Sequence, residues 1–322
     1  MNTVFVTVSL PLDLLARLKS NFHVVEVPEG AAENLATYGD PVGWLIRGGT
    51  EINASVLAQL PSLKVISKHG VGYDLINVDD ASAAGVVVAN TPGVLDTAVA
   101  ELALGLIITL GRGISRLDTY VRDGSWMTRP APLADDVHGK TLGIVGMGRI
   151  GTRLAELVQP LGMRVLYHNR RVRPEIEASG IAAYAEWDAL LRRADFVSLH
   201  VPLTERTRGF FARDALNLMK PSAYLINLAR GSIVDETALI SAITTGRIAG
   251  AALDVFVEEP LPLTSPLLEF ENVILLPHIG SATAETRRAM VELAVANLEL
   301  GARGRTPHTP VNTDDPRLAH WS

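Results

Sequence analysis

The chain has no cysteine. Disulfides, thiol nucleophiles and cysteine-bound metals are therefore excluded, and the composition fits a reducing compartment. Its eight histidines are scattered without ligand spacing, so no metal centre is expected. Basic residues are too few for a nucleic-acid or anionic-membrane footprint: 29 Lys and Arg face 35 Asp and Glu, a formal net charge of -6. Long apolar runs are missing too. The most apolar stretch, "TAVAELALGLIITLG" from Thr97 to Gly111, carries Glu101. It falls short of the roughly 20 residues a bilayer span needs, so it reads as a buried helix. The opening "MNTVFVTVSLPLDLL" has no basic n-region and no long apolar h-region. It reads as a first strand, not a signal peptide, and a cytoplasmic location is expected. No repeat or low-complexity segment stands out.

What is present suits a soluble globular protein of two domains: 322 residues, 48% hydrophobic and 20% charged. Short β-branched runs alternate with helical stretches. "TVFVTVSL", "FHVVEV", "GWLIRG", "LKVISKHG" and "GVVVAN" are strand candidates in a first series. A second series opens at "TLGIVG" (141–146) and continues through "RVLYHN", "FVSLHV", "AYLINLA", "GAALDV" and "NVILLPH". Several are continuously apolar, as strands buried on both faces are. The pattern predicts parallel sheets covered by helices, an α/β fold in two units. The closing helix candidate, "ATAETRRAMVELAVANLELGARG", has no strand partner of its own and is expected to pack back on the first unit.

The second series begins with a glycine pattern. Gly146, Gly148 and Gly151 stand in G-x-G-x-x-G spacing, with a strand before them and a helix after. In that context Gly146 permits the tight turn and Gly148 lets backbone approach a pyrophosphate. Gly151 lets helix and strand pack closely, with the helix N-terminus facing the phosphates. The next strand ends at Asn169, where an acidic residue would hold the ribose 2′-hydroxyl of NAD. Arg170 and Arg171 follow, with Arg173 close by. A neutral residue followed by arginines suits a 2′-phosphate, so NADP(H) is favoured, with NAD(H) the alternative. A solvated basic loop is the competing reading.

Another strand ends by delivering His278 into a turn of small residues, "PHIGSAT" (277–283). A lone histidine is more often structural than catalytic. Here it has company: "KHGVGYDLINVD" (68–79), "NTPGVLDTAVAE" (90–101), "GIVGMGRIG" (143–151), "LINLARGSIVDE" (225–236) and "ALDVFVEEP" (252–260). With these motifs in this order, nearly the whole chain resembles the D-isomer-specific 2-hydroxyacid dehydrogenases. Within them it is most similar to glyoxylate/hydroxypyruvate reductases and short phosphoglycerate-dehydrogenase-like members.

The resemblance implies a doubly wound, flavodoxin-like substrate domain (1–97 plus 284–322) and a Rossmann cofactor domain (98–283), with a cleft between them. It places the family's catalytic trio on Arg230, Glu259 and His278. Reducing a 2-keto acid needs a hydride at the carbonyl carbon and a proton at its oxygen. A histidine can hold that proton near neutral pH, and a neighbouring carboxylate stabilises imidazolium and orients the ring. A guanidinium can clamp the substrate carboxylate and polarise the ketone. The resemblance further points to Gly70, Val71 and Gly72 for the substrate carboxylate. It brings Arg149 and Ile150 to the pyrophosphate, and His200, Val201 and Pro202 to the adenosine side. Ala229 and Asp254 would meet the nicotinamide carboxamide, with Gly280 nearby, although Asp254 could instead be a structural cap. Leu45 to Arg47 resemble a second substrate-side loop; Trp126 is either interface packing or a pocket wall.

The expected activity is therefore hydride transfer between a nicotinamide cofactor and a small 2-keto or 2-hydroxy acid, without nucleic-acid or membrane partners. Family members are commonly homodimers, and the apolar helix from Thr97 would suit that interface. The alternatives are an NAD-linked dehydrogenase of another acid, such as 3-phosphoglycerate, 2-ketogluconate or phosphite, and a nucleotide-sensing corepressor. The chain stops soon after its long helix, so the extra regulatory domains of some phosphoglycerate dehydrogenases are not expected.

Overall fold

In the computed structural model, which describes residues 1–321 and, of residues 32 and 33, the backbone alone, the strands form two sheets whose ladders are all parallel. The chain divides into two compact units, residues 1–95 with 283 onward, and residues 96–282. Ser322, the last residue of the expected substrate-domain segment, lies outside the described residues.

The first unit holds β1 (Thr3–Val6), β2 (His23–Glu26), β3 (Gly43–Ile46), β4 (Val65–Lys68) and β5 (Val87–Ala89) in the order β2-β1-β3-β4-β5. This is the flavodoxin-like order. Val65, Ile66, Val87 and Val88 are wholly buried, as expected of strands covered on both faces. One of the covers is the long helix Ala284–Ala302. Its Val291, Ala294, Val295 and Leu298 share a core cluster with Val4, Leu45 and Val65. Contact is so close that a Cβ at Gly301 would lie 2.4 Å from the Val65 Cβ.

The second unit holds β6 (Thr141–Val145), β7 (Arg164–His168), β8 (Ala183–Tyr184), β9 (Phe196–Leu199), β10 (Tyr224–Asn227), β11 (Gly250–Leu253) and β12 (Val273–Leu275). Their order, β12-β11-β10-β9-β6-β7-β8, is the Rossmann order extended by one strand. The series runs outward from β6 in one direction and from β9 in the other. A crevice at the carboxyl ends of these two neighbours is where such sheets bind ligands. Strand β8, which the sequence does not predict, has only two residues, too few to show a period.

The apolar helix that opens this unit is Asp96–Arg112. Ala100, Ala103, Leu106, Ile107 and Leu110 pack into the core with Leu154, Ala155 and Val158 of the helix Arg149–Val158. Exposed apolar side chains come just after it, among them Ile114, Val121, Trp126, Met127 and Leu133. Among the described residues no single helix is long and apolar enough to cross a membrane.

Candidate active site

Three adjacent strands, β10, β11 and β12, end on the same edge of the second sheet and lead into Arg230, Glu259 and His278. The glutamate and the histidine are in contact: His278 Nδ1 lies 2.8 Å from Glu259 Oε2. An ionised carboxylate can only accept, so Nδ1 carries the hydrogen and Nε2 is the nitrogen left for proton exchange. The other carboxylate oxygen, Oε1, accepts from the Phe256 N–H at 3.0 Å. Burial pushes Glu259 upward, but the His278 and Phe256 hydrogen bonds and the positive charge of Arg230 outweigh it and hold the carboxyl below its ordinary range. Arg230 donates to the Ala229 carbonyl at 2.7 Å. Beside it, Gly231 presses on the next loop: a Cβ there would lie 1.9 Å from the Phe256 carbonyl carbon.

His278 is the one non-glycine residue, among those described, with a positive φ, 55°. Such backbone costs about 1–3 kcal/mol and persists where the surroundings over-determine it. The surroundings are Asp254, just past β11 and 1% exposed. Its Oδ1 accepts from the Ile279 N–H and its Oδ2 from the Gly280 N–H, each at 2.7 Å. Burial pushes the Asp254 carboxyl up, against the lowering effect of those two amides. Ala229 is similarly occupied, its N–H donating to Asn227 Oδ1 at 3.0 Å. Both residues expected at a nicotinamide carboxamide thus already serve the protein's own loops.

The glycine turn sits at the ends of β6 and β9. Gly146 has φ 98°, and a Cβ there would lie 2.6 Å from the His200 carbonyl oxygen. A Cβ at Gly151 would lie 2.6 Å from the Gly146 carbonyl oxygen. At Gly148 nothing would come within 4 Å. The helix Arg149–Val158 starts there without a side-chain cap, leaving the amides of Arg149, Ile150 and Gly151 for a ligand. An open glycine ledge in front of uncapped amides fits a pyrophosphate.

At the end of β7, Asn169 Oδ1 accepts from the Met147 N–H at 2.7 Å, so this side chain steadies the glycine turn. Arg173 donates to the Met147 carbonyl at 2.6 Å and pairs with Glu175. Arg170 and Arg171 are exposed and form no ion pair among the described residues. At the end of β9 the His200 ring turns inward, 2.8 Å from Ser198 Oγ, and burial pushes it down to about 4. His200, Val201 and Pro202 therefore offer backbone, not an imidazole, to the turn.

In the first unit the loop after β4 is only partly free. Gly70 N–H donates to Thr91 Oγ1 at 3.1 Å, which leaves Val71 and Gly72 as its candidate amides. Arg47, after β3, is exposed. His69 had no sequence signal. Its ring is buried, and burial together with Arg287, Lys68 and Arg47 pushes it down to about 4. Its Nδ1 has no hydrogen-bond partner. Among the described residues no group of His, Asp and Glu could hold a metal ion.

The NAD-binding domain of the D-isomer-specific 2-hydroxyacid dehydrogenases matches residues 104–280. The chain is 44% identical over 270 residues to the glyoxylate reductase of Thermococcus litoralis, covering 82% of this chain and 81% of that one. It is 42% identical over 311 residues to the glyoxylate/hydroxypyruvate reductase B of Citrobacter koseri, covering 94% and 96%. The crystal structure of the NADPH-dependent glyoxylate/hydroxypyruvate reductase of Sinorhizobium meliloti, with NADP and malonate, superposes with a TM-score of 0.87 at 35% identity over 97% of both chains. A glyoxylate reductase from Paecilomyes thermophila superposes with a TM-score of 0.89 at 32% identity over 98% and 99%. With a Rossmann sheet, a glycine ledge for a dinucleotide and relatives along almost its whole length, the chain belongs to the D-isomer-specific 2-hydroxyacid dehydrogenases, NAD(P)-dependent oxidoreductases.

Proposed function

We propose that this protein reduces small 2-keto acids of the glyoxylate and hydroxypyruvate type to D-2-hydroxy acids, with NADPH as the preferred reductant. The observation that carries the proposal is the His278–Glu259 pair at 2.8 Å, on the same sheet edge as the glycine ledge. His278 delivers a proton from Nε2 to the ketone oxygen, while Glu259 holds Nδ1 and with it the ring plane. Arg230 binds the substrate carboxylate and polarises the ketone, and in the first unit Val71 and Gly72 keep amide N–H groups of the kind that bind a carboxylate. The cofactor, when bound, supplies the hydride. Gly146, Gly148, Arg149, Ile150 and Gly151 would hold its pyrophosphate, and Arg170 and Arg171 its 2′-phosphate.

In this reading residues 1–97 and 284–322 form the substrate domain and 98–283 the cofactor domain. The names of the relatives support the substrate class, and the NADPH-dependent Sinorhizobium enzyme supports the cofactor. The exposed apolar group Trp126, Met127 and Leu133 supports a homodimer, and a cytoplasmic location accords with the absence of cysteine. The test is a steady-state screen of glyoxylate, hydroxypyruvate, pyruvate and 2-ketogluconate with each cofactor. Glyoxylate or hydroxypyruvate with NADPH should give the highest kcat/KM; no turnover on either would refute the proposal.

A further inference from the structure

We propose that Asp254 is a positioning residue for the proton donor: by holding the Ile279 and Gly280 amides it fixes His278 in its left-handed conformation, with the ring against Glu259. The proposal rests on reading His278 as the proton donor. It differs from a role for Asp254 as a ligand of the nicotinamide carboxamide. The geometry is specific. Two consecutive N–H groups directly after His278 point at two oxygens of one buried carboxylate, each at 2.7 Å. Held at both amides, the chain cannot relax the φ of 55° at His278 into the right-handed or extended regions. At Gly280 the approach is also steric: a Cβ would lie 3.2 Å from Asp254 Oδ2 and 3.5 Å from Val99 Cγ2. The imidazole is then held at both ends, through Nδ1 by Glu259 and through the backbone by Asp254.

A carboxylate is needed here, not merely a polar group of the same shape. Two N–H donors require two acceptors. An asparagine has one acceptor oxygen and one NH2, which would face an N–H. Asp254→Asn therefore keeps volume and breaks one half of the clamp.

The test compares wild type, Asp254→Asn, Gly280→Ala and His278→Gln. It reads kcat and KM for hydroxypyruvate, the NADPH dissociation constant by fluorescence titration, and the imidazole 15N resonances of His278. Those resonances are assigned by their loss in His278→Gln. In Asp254→Asn, kcat should fall by about 10- to 100-fold, the scale of an ångström of misplacement. The NADPH dissociation constant should stay within about twofold, and the His278 Nδ1 resonance should lose its carboxylate-bonded position. Gly280→Ala keeps every hydrogen-bonding group and crowds the clamp, so it should show the same pattern more weakly. It also decides the matter if Asp254→Asn does not fold. The proposal is overturned if kcat falls only in step with NADPH affinity while the His278 resonance stays put, or if neither variant lowers kcat. Retained turnover in His278→Gln would instead remove the proton-donor reading itself.

Discussion

Glu259 uses both carboxylate oxygens to hold neighbours still, one taking the Phe256 amide and the other the His278 ring. That leaves His278 as the exchangeable group of the pair. Replacing it with glutamine should lower kcat by about 10²–10⁴, the usual contribution of a general acid–base, with NADPH binding largely retained. Near-normal turnover of the purified variant would contradict the assignment. Cofactor choice is decided at the same scale. Charge-assisted hydrogen bonds contribute about 1.5–3 kcal/mol when well formed, and less on exposed arginines, so a preference of about tenfold for NADPH is expected. In Asn169→Asp with Arg170→Ala, the new carboxylate can still accept from the Met147 N–H, so the turn should survive. The ratio of kcat/KM for NADPH over NADH should fall towards or below one; a wild-type ratio already below one would mean that the arginines do not reach the phosphate. Arg230, Glu259 and His278 were legible as candidates because each stands in a recognisable motif at a strand end. The tether from Asn169 to Met147 was not: it joins residues 22 apart through a side chain, and no local period records such a bond.

The elements were legible to different degrees for a physical reason. Strands buried on both faces write themselves as apolar runs, and β4, β5, β9, β10 and β11 were plain. The two-residue β8 left no period, and the apolarity of the helix Asp96–Arg112 did not say which partner buries it. Between elements, the tightest coupling near the site is Gly231 against Phe256. A methyl group there, with its Cβ 1.9 Å from a backbone carbon, cannot be relieved by a rotamer change. Gly231→Ala should therefore shift the loop that carries Glu259. Overpacking typically costs about 1–3 kcal/mol, so both the melting temperature and kcat should drop. Calorimetry and initial rates check this together, and a variant unchanged in both would mean that the two loops are not coupled.

Across the whole molecule, pH should act first through two buried imidazoles. His69 and His200 are each lowered from 6.5 to about 4, mainly by burial. The unfolded chain takes up these protons below about pH 6.5, whereas the folded chain refuses them until near pH 4. Their contribution to stability is thus complete above pH 6.5 and lost as pH falls from 6.5 to 4. The loss is about 1.4 kcal/mol per pH unit for each histidine. Urea midpoints at pH 7 and pH 5 should differ accordingly, and His69→Gln should flatten the dependence; equal slopes would mean that the His69 ring is not held neutral by the fold. The central claim is hydride transfer to a 2-keto acid with D-stereochemistry. Its most direct test supplies hydroxypyruvate and NADPH carrying deuterium at both positions of nicotinamide C4, then determines the label and configuration of the product. The expected product is D-glycerate with deuterium on the former ketone carbon; an unlabelled product, the L-isomer, or no product at all would contradict it.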